Sequence, residues 1–133
     1  MLGVDTNLLV RFITRDDEAQ ATLAHEIITR DSNQPIRVTL IVLIELVWVL
    51  RKVKRWPSHD VFEVCRRLLQ SNDFSVEQSP LIEQAIAEAV EAECDLADAL
   101  ISLMNAKAGC VTTVTFDQDA QKLAGMTPAE TYL

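Results

Sequence analysis

Glycine and proline are scarce, with 3 and 4 among 133 residues. So few chain breakers exclude collagen-like, linker-like and low-complexity chains, and favour a compact, helix-rich protein. Cysteine is scarce too. Cys65, Cys94 and Cys110 are odd in number and contain no Cys-x-x-Cys pair, so no closed disulfide framework is implied. They read as reduced, mostly packed thiols in a cytoplasm-like compartment. Only two histidines occur, His25 and His59, far apart, and with the cysteine spacing they disfavour a zinc site. The longest apolar run, Leu40 to Leu50, is interrupted by Glu45 and is too short to cross a bilayer. No basic segment precedes a signal-peptide core. No repeat is visible, and the length favours one domain spanning residues 1–133.

Basic residues are missing from the second half. Residues 1–70 hold 10 Lys/Arg against 9 Asp/Glu, whereas residues 71–133 hold 2 against 11, giving +1 and −9 and the total of −8. Most of these acids are accounted for by solvated helix surfaces. Net charge does not draw this chain to nucleic acid, so phosphate binding requires a local basic patch or bound cations.

What is present is an alternation of apolar strands and amphipathic helices. Leu2 to Val4 reads as a buried strand, and Asp5 or Thr6 caps a helix through Ile13. Asp16-Asp17-Glu18 opens a second helix to about Arg30. Ile36 to Val38 is a strand, and Thr39 caps a helix from Leu40 to Lys54 that Trp56-Pro57 ends. Ser58 caps the next helix, and Phe74 to Glu77 forms a short strand. Ser79-Pro80 starts another helix, to about Glu93. Asp95 begins one that Gly109 stops. Cys110 to Val114 is a strand, a short helix carries Ala120 and Leu123, and the tail supplies a last edge strand. Such an order implies an α/β fold with a parallel sheet covered on both faces.

Four acids end or interrupt apolar segments. Asp5 and Asp117 each follow a strand, the position at which α/β sheets bind ligands. Glu45 stands among ten apolar neighbours, which predicts partial burial, and a buried lone carboxylate costs several kcal/mol. It must be protonated, paired with an arginine of another helix, or bound to metal. Asp98 lies between Leu96-Ala97 and Ala99-Leu100-Ile101. Asp95 shares its helix face and serves equally well as an N-cap. Asp119 is assigned the capping of the last short helix.

If the fold gathers Asp5, Glu45, Asp98 and Asp117, their repulsion calls for a hard cation, Mg²⁺ or Mn²⁺. Such a centre activates water and neutralises a phosphodiester without a protein nucleophile. Thr6, Asn7 and Thr115 suit orienting a ligand, a carboxylate or a water, and each could equally be a helix cap. Arg11, Arg15 and the Arg51–Arg55 cluster are candidate phosphate contacts, although a solvated helix end explains the cluster as well. Plain core is the default use of Trp48.

The order Val4-Asp5-Thr6-Asn7, Glu45-Leu46-Val47-Trp48-Val49-Leu50, Asp95-Leu96-Ala97-Asp98-Ala99-Leu100 and Thr115-Phe116-Asp117 resembles PIN-domain proteins. More narrowly it resembles the VapC-type ribonuclease toxins of toxin–antitoxin pairs. The resemblance implies a three-layer α/β/α fold around a central parallel sheet and Mg²⁺- or Mn²⁺-dependent endoribonuclease activity. It aligns Asp5, Glu45, Asp98 and Asp117 with an acidic metal site and Thr6, Asn7 and Thr115 with supporting positions. Asp95 matches an acid of a related subgroup. It also implies an RNA substrate, a cognate antitoxin and a homodimer, with no membrane association, and Trp48, Trp56 and Phe62 could line an apolar groove for the antitoxin's tail or for the dimer. Glu93-Cys94 departs from the small residues usual before Asp95. Two rivals are a binding-only PIN-like scaffold and a receiver-type phosphoacceptor domain. The receiver pattern wants paired acids after the first strand and a late lysine, and here Thr6-Asn7 and Thr115-Phe116 stand instead.

Overall fold

Ile36 and Val38 are β-branched, apolar and fully buried, and they form the middle strand of the first sheet. In the computed structural model, which describes residues 1–133, every strand pairing is parallel, as expected of an α/β chain. The chain divides into two compact units, Met1–Gln78 and Ser79–Leu133.

The first unit holds β1 (Leu2–Gly3), α1 (Thr6–Thr14), α2 (Glu18–Thr29), β2 (Ile36–Val38), α3 (Leu40–Trp48), α4 (Ser58–Gln70) and β3 (Phe74–Val76). The sheet order is β1-β2-β3, with Leu2 opposite Ile36, and Ile36 opposite Phe74. β1 is shorter than expected and is not buried: Leu2 is 42% exposed, because β1 is the edge of this sheet. Asp17 caps α2 by accepting from Gln20 N at 3.0 Å, and Thr39 caps α3 by accepting from Val42 N at 3.2 Å. Beyond Trp48 the helix widens into a π turn, Val49–Val53, closed by Lys54 N donating to Val49 O at 2.9 Å. Ser58 is the first residue of α4 rather than its cap. Pro57 occupies the cap position and offers no side-chain acceptor. Val61, Phe62, Cys65 and Leu68 are buried along α4, one face at helical spacing.

The second unit holds α5 (Ser79–Ala92), α6 (Leu96–Lys107), β4 (Thr113–Thr115) and β5 (Met126–Pro128). α5 starts at Ser79, where Ser79-Pro80 is expected to open it. Leu81, Ile82, Ala85, Ile86 and Ala89 form the buried side of α5, and Leu96, Ala99 and Leu100 that of α6. Between these helices Glu93 adopts φ 55, and Cys94 N donates back to Ala89 O at 3.0 Å. The residue that departs from the small-residue pattern therefore closes α5 in the left-handed conformation, at a cost a glycine would not incur. Gly109, with φ 95, makes the corresponding turn after α6 without that cost. β4 begins three residues later than expected. Cys110 and Val111 lie outside it and are exposed, and the ladder with β5 runs from Thr113–Met126 to Thr115–Pro128. No helix is long and apolar enough to cross a membrane.

Candidate active site

Asp5 leaves the end of β1 in an extended conformation, and its Oδ1 accepts from Leu8 N at 3.0 Å. It is therefore the N-cap of α1. A cap of this kind contributes about 1 kcal/mol and satisfies one of the orphan amides of the first turn. It also fixes the carboxylate, with Oδ2 left over. Thr6, one residue on, donates its hydroxyl to Glu45 Oε1 at 3.1 Å, which joins the start of α1 to the middle of α3. Asn7 does not join this group through a side-chain hydrogen bond. It lines a cavity of about 250 Å³ between α1 and α2, together with Arg11, Gln20 and Leu23.

Glu45 is not buried, contrary to expectation; it is an exposed residue. The helix spacing explains why. Leu43, Leu46 and Leu50 face the core at 0% exposure, and Ile41, Glu45 and Trp48 fall on the opposite side, with Ile41 71% and Trp48 59% exposed. Apolar residues all round α3 do not enclose it, and Trp48 is not core. No arginine or lysine pairs with Glu45. Its partner is the neutral Thr6 hydroxyl, so the arginine-pairing alternative is not realised.

In the second unit Asp95 stands at the N-cap of α6 but its side chain accepts no capping bond. Asp98 sits in the first turn of α6, half-buried. Its carboxyl is pushed above the usual aspartate range, first by burial and then by the charges of Asp117, Asp95 and Asp119. Three of the acids singled out are thus close enough to feel one another, together with Asp119.

Asp117 reverses the division of labour expected of the Asp117/Asp119 pair. Its Oδ1 accepts from Asp119 N at 2.8 Å and Ala120 N at 3.1 Å, so Asp117 caps the 3₁₀ turn Ala120–Lys122. Asp119 makes no capping bond and is bridged to Lys122 at 3.2 Å. Residue spacing decides this: the acceptor must precede the first free amides by two or three positions, and Asp119 stands too close. Thr115 Oγ1 accepts from Asp117 N at 3.0 Å and holds the same turn from the strand side.

Three carboxylates, at Asp5, Glu45 and Asp117, are thus each anchored through one oxygen. Carboxylate oxygens are the kind of ligand that Mg²⁺ or Mn²⁺ takes. Neither unit by itself brings three His, Cys, Asp or Glu side chains close enough to share an ion.

The PIN domain profile matches residues 3–126 of this chain. The chain belongs to the PIN-domain family. A VapC ribonuclease from Aquifex aeolicus (strain VF5) is 29% identical over 122 residues, which cover 90% of each protein. The crystal structure of PAE2754 from Pyrobaculum aerophilum aligns over 98% of this chain and 90% of that one at 22% identity, with a TM-score of 0.33. The last is too loose a superposition to bear on the PIN fold here.

Cys65 and Cys94 of this PIN domain offer no thiolate nucleophile. Burial pushes the Cys65 thiol to about 12, and burial with the charges of Asp98 and Asp95 pushes Cys94 to about 11. Both stay protonated at neutral pH. Of the three thiols only Cys65 is buried, so the expectation of mostly packed cysteines fails for the half-buried Cys94 and the exposed Cys110. One acid near a sheet end escaped notice in the sequence, and another, Asp119, was read only as a cap. Glu77, just past β3, accepts from Leu40 N at 2.8 Å and shares the capping of α3 with Thr39. Asp119 adds to the charge felt by Asp98. Glu77 has the same signal as Asp5, a carboxylate just after a short strand, and could have been found by it.

Proposed function

We propose that this chain is a Mg²⁺- or Mn²⁺-dependent endoribonuclease, the toxin of a type II toxin–antitoxin pair. The observation that carries the reading is the PIN domain match over residues 3–126, together with the VapC ribonuclease relative. The acids Asp5, Glu45, Asp98 and Asp117 are proposed as the groups on which metal binding and cleavage depend, with Thr6, Asn7, Asp95 and Thr115 in support.

When bound, a divalent ion of this kind supplies Lewis acidity to a phosphodiester and lowers the pKa of a water. The chain's own residues do the positioning. Leu8 N holds one oxygen of Asp5, Thr6 holds one of Glu45, and the amides of Asp119 and Ala120 hold one of Asp117. Such carboxylates need little reorientation to act as oxygen ligands. Asp98, crowded by Asp117, Asp95 and Asp119, has the most to gain from a nearby cation. The antitoxin, a homodimeric state and a cytoplasmic location belong to the same proposal. A neighbouring reading frame for a small DNA-binding protein with a basic tail would support it.

Cleavage of RNA with Mg²⁺ or Mn²⁺ tests the activity. EDTA, Asp5→Asn and Asp98→Asn should each abolish it, and full activity in EDTA overturns the reading. One observation favours a binding-only PIN-like module as the second reading: no three ligating side chains gather within either unit. That module would bind RNA and leave it intact in millimolar metal.

A further inference from the structure

We propose that the outward face of α3, with the π turn that extends it, binds single-stranded RNA: Trp48 is the stacking platform for a base, and Lys52 and Arg55 contact phosphates. The proposal rests on the ribonuclease reading, because Glu45 lies on the same helix face.

Ile41, Glu45 and Trp48 are spaced by four and three residues, which places them in one row along α3, and Lys52 lies in the π turn just beyond it. All four are exposed. Trp48 leaves 59% of its surface in water while Leu43, Leu46 and Leu50 on the other side leave none. The core therefore gives no reason for an indole at this position. The row begins beside a carboxylate proposed for chemistry and runs toward positive charge.

That charge is unusual for this chain. Arg51, Lys52, Lys54 and Arg55 stand within five residues that contain no acid, in a protein whose net charge is −8. Two of the four are occupied: Lys54 is bridged to Asp16, and Arg51 donates to Trp56 O at 2.7 Å. Lys52 and Arg55 are exposed and have no carboxylate partner. The π turn over Val49–Val53 carries Lys52, and a residue in the left-handed region, Arg55 with φ 59, follows it. Both are costly backbone arrangements that occur often at functional positions.

An exposed aromatic beside unpaired cations fits a single-stranded nucleic acid, whose bases stack and whose backbone is anionic. A protein-docking core, by contrast, is depleted of unpaired charge. Stacking also tolerates any base, so this face contributes affinity and placement along the strand rather than choice of sequence.

Binding of a short fluorescein-labelled single-stranded RNA of mixed sequence, measured in EDTA so that nothing is cut, tests this. Trp48→Ala should weaken binding by about tenfold, within the range of one stacked base, and Trp48→Phe should keep most of it. RNA should quench the tryptophan emission of the wild type far more than that of Trp48→Phe. The Lys52→Ala/Arg55→Ala variant should lower the slope of log affinity against log salt by about 1.4, or ~0.7 per lost phosphate contact. Wild-type binding that is unchanged by both sets of substitutions overturns the proposal and leaves the ribonuclease reading standing. So does a Trp48→Ala variant that changes only its oligomeric state, because Trp48 is then a protein contact. A wild type that binds no RNA in EDTA overturns this proposal, while cleavage of RNA with Mg²⁺ or Mn²⁺ decides the ribonuclease reading separately.

Discussion

The Thr6 hydroxyl donates to Glu45 Oε1 at 3.1 Å, across 39 positions of sequence. The contact links the residue after one proposed metal acid to another, and it is exposed, so its worth lies in orientation more than in stability. Thr6→Val should lower RNA cleavage about tenfold or more while changing stability by no more than ~1 kcal/mol. Thr6→Ser should keep both. Rates at saturating metal, beside a denaturant titration, check this; loss of stability without loss of rate would make Thr6 a purely structural residue.

Asp117 has two jobs that substitution can separate. An asparagine side chain caps a turn as well as an aspartate does. Asp117→Asn should therefore melt close to the wild type yet lose cleavage by two or more orders of magnitude, an effect on the scale of a lost electrostatic catalytic group. Asp117→Ala should lose cleavage and also about 1 kcal/mol of stability, because the Asp119 and Ala120 amides lose their acceptor.

Asp98 sets a pH dependence in the metal-free protein. Its folded-state value lies above the ordinary 3.8, through burial and then the charges of Asp117, Asp95 and Asp119. Between 3.8 and the raised value the folded state holds more protons than the unfolded one. The stabilising contribution is therefore complete below 3.8 and is lost as pH rises through the folded value. In EDTA, Asp98→Asn should raise the Tm at neutral pH and flatten the Tm–pH curve over that window. A variant whose curve matches the wild type would mean that neither burial nor the neighbouring carboxylates raise Asp98.

Gly125 shows how closely the second unit is packed. A methyl group added there would overlap Ser102 Oγ, and Ser102 is buried. Gly125→Ala should cost about 1 kcal/mol. Adding Ser102→Ala removes the overlapping atom and should restore most of that loss, which thermal melts of the single and double variants will show.

The strand and helix order was legible because periodicity and caps are local: Asp5, Asp17 and Thr39 cap the helices that their sequences announce. Burial was less legible. Around Glu45, apolar residues on every side suggested enclosure, but only one side of α3 faces the core, and which side is a tertiary matter. The choice between Asp117 and Asp119 as the cap depended on a two-residue offset that composition does not reveal. The pairing of Thr6 with Glu45 is invisible in sequence, because nothing local connects residues so far apart. The four acids stood out in the sequence for a local reason, since each ends or interrupts an apolar segment, and three of them are anchored through one oxygen.

Calorimetric titration with Mn²⁺, without RNA, addresses the metal directly. The wild type should bind with measurable heat below millimolar metal. Asp5→Asn, Glu45→Gln, Asp98→Asn and Asp117→Asn should each weaken that binding by more than about a hundredfold, beyond the ~10–100-fold lost when a group that only orients a ligand is removed. A wild type that takes up no Mn²⁺ at millimolar concentration, or four variants that bind it as the wild type does, would contradict the assignment of these carboxylates.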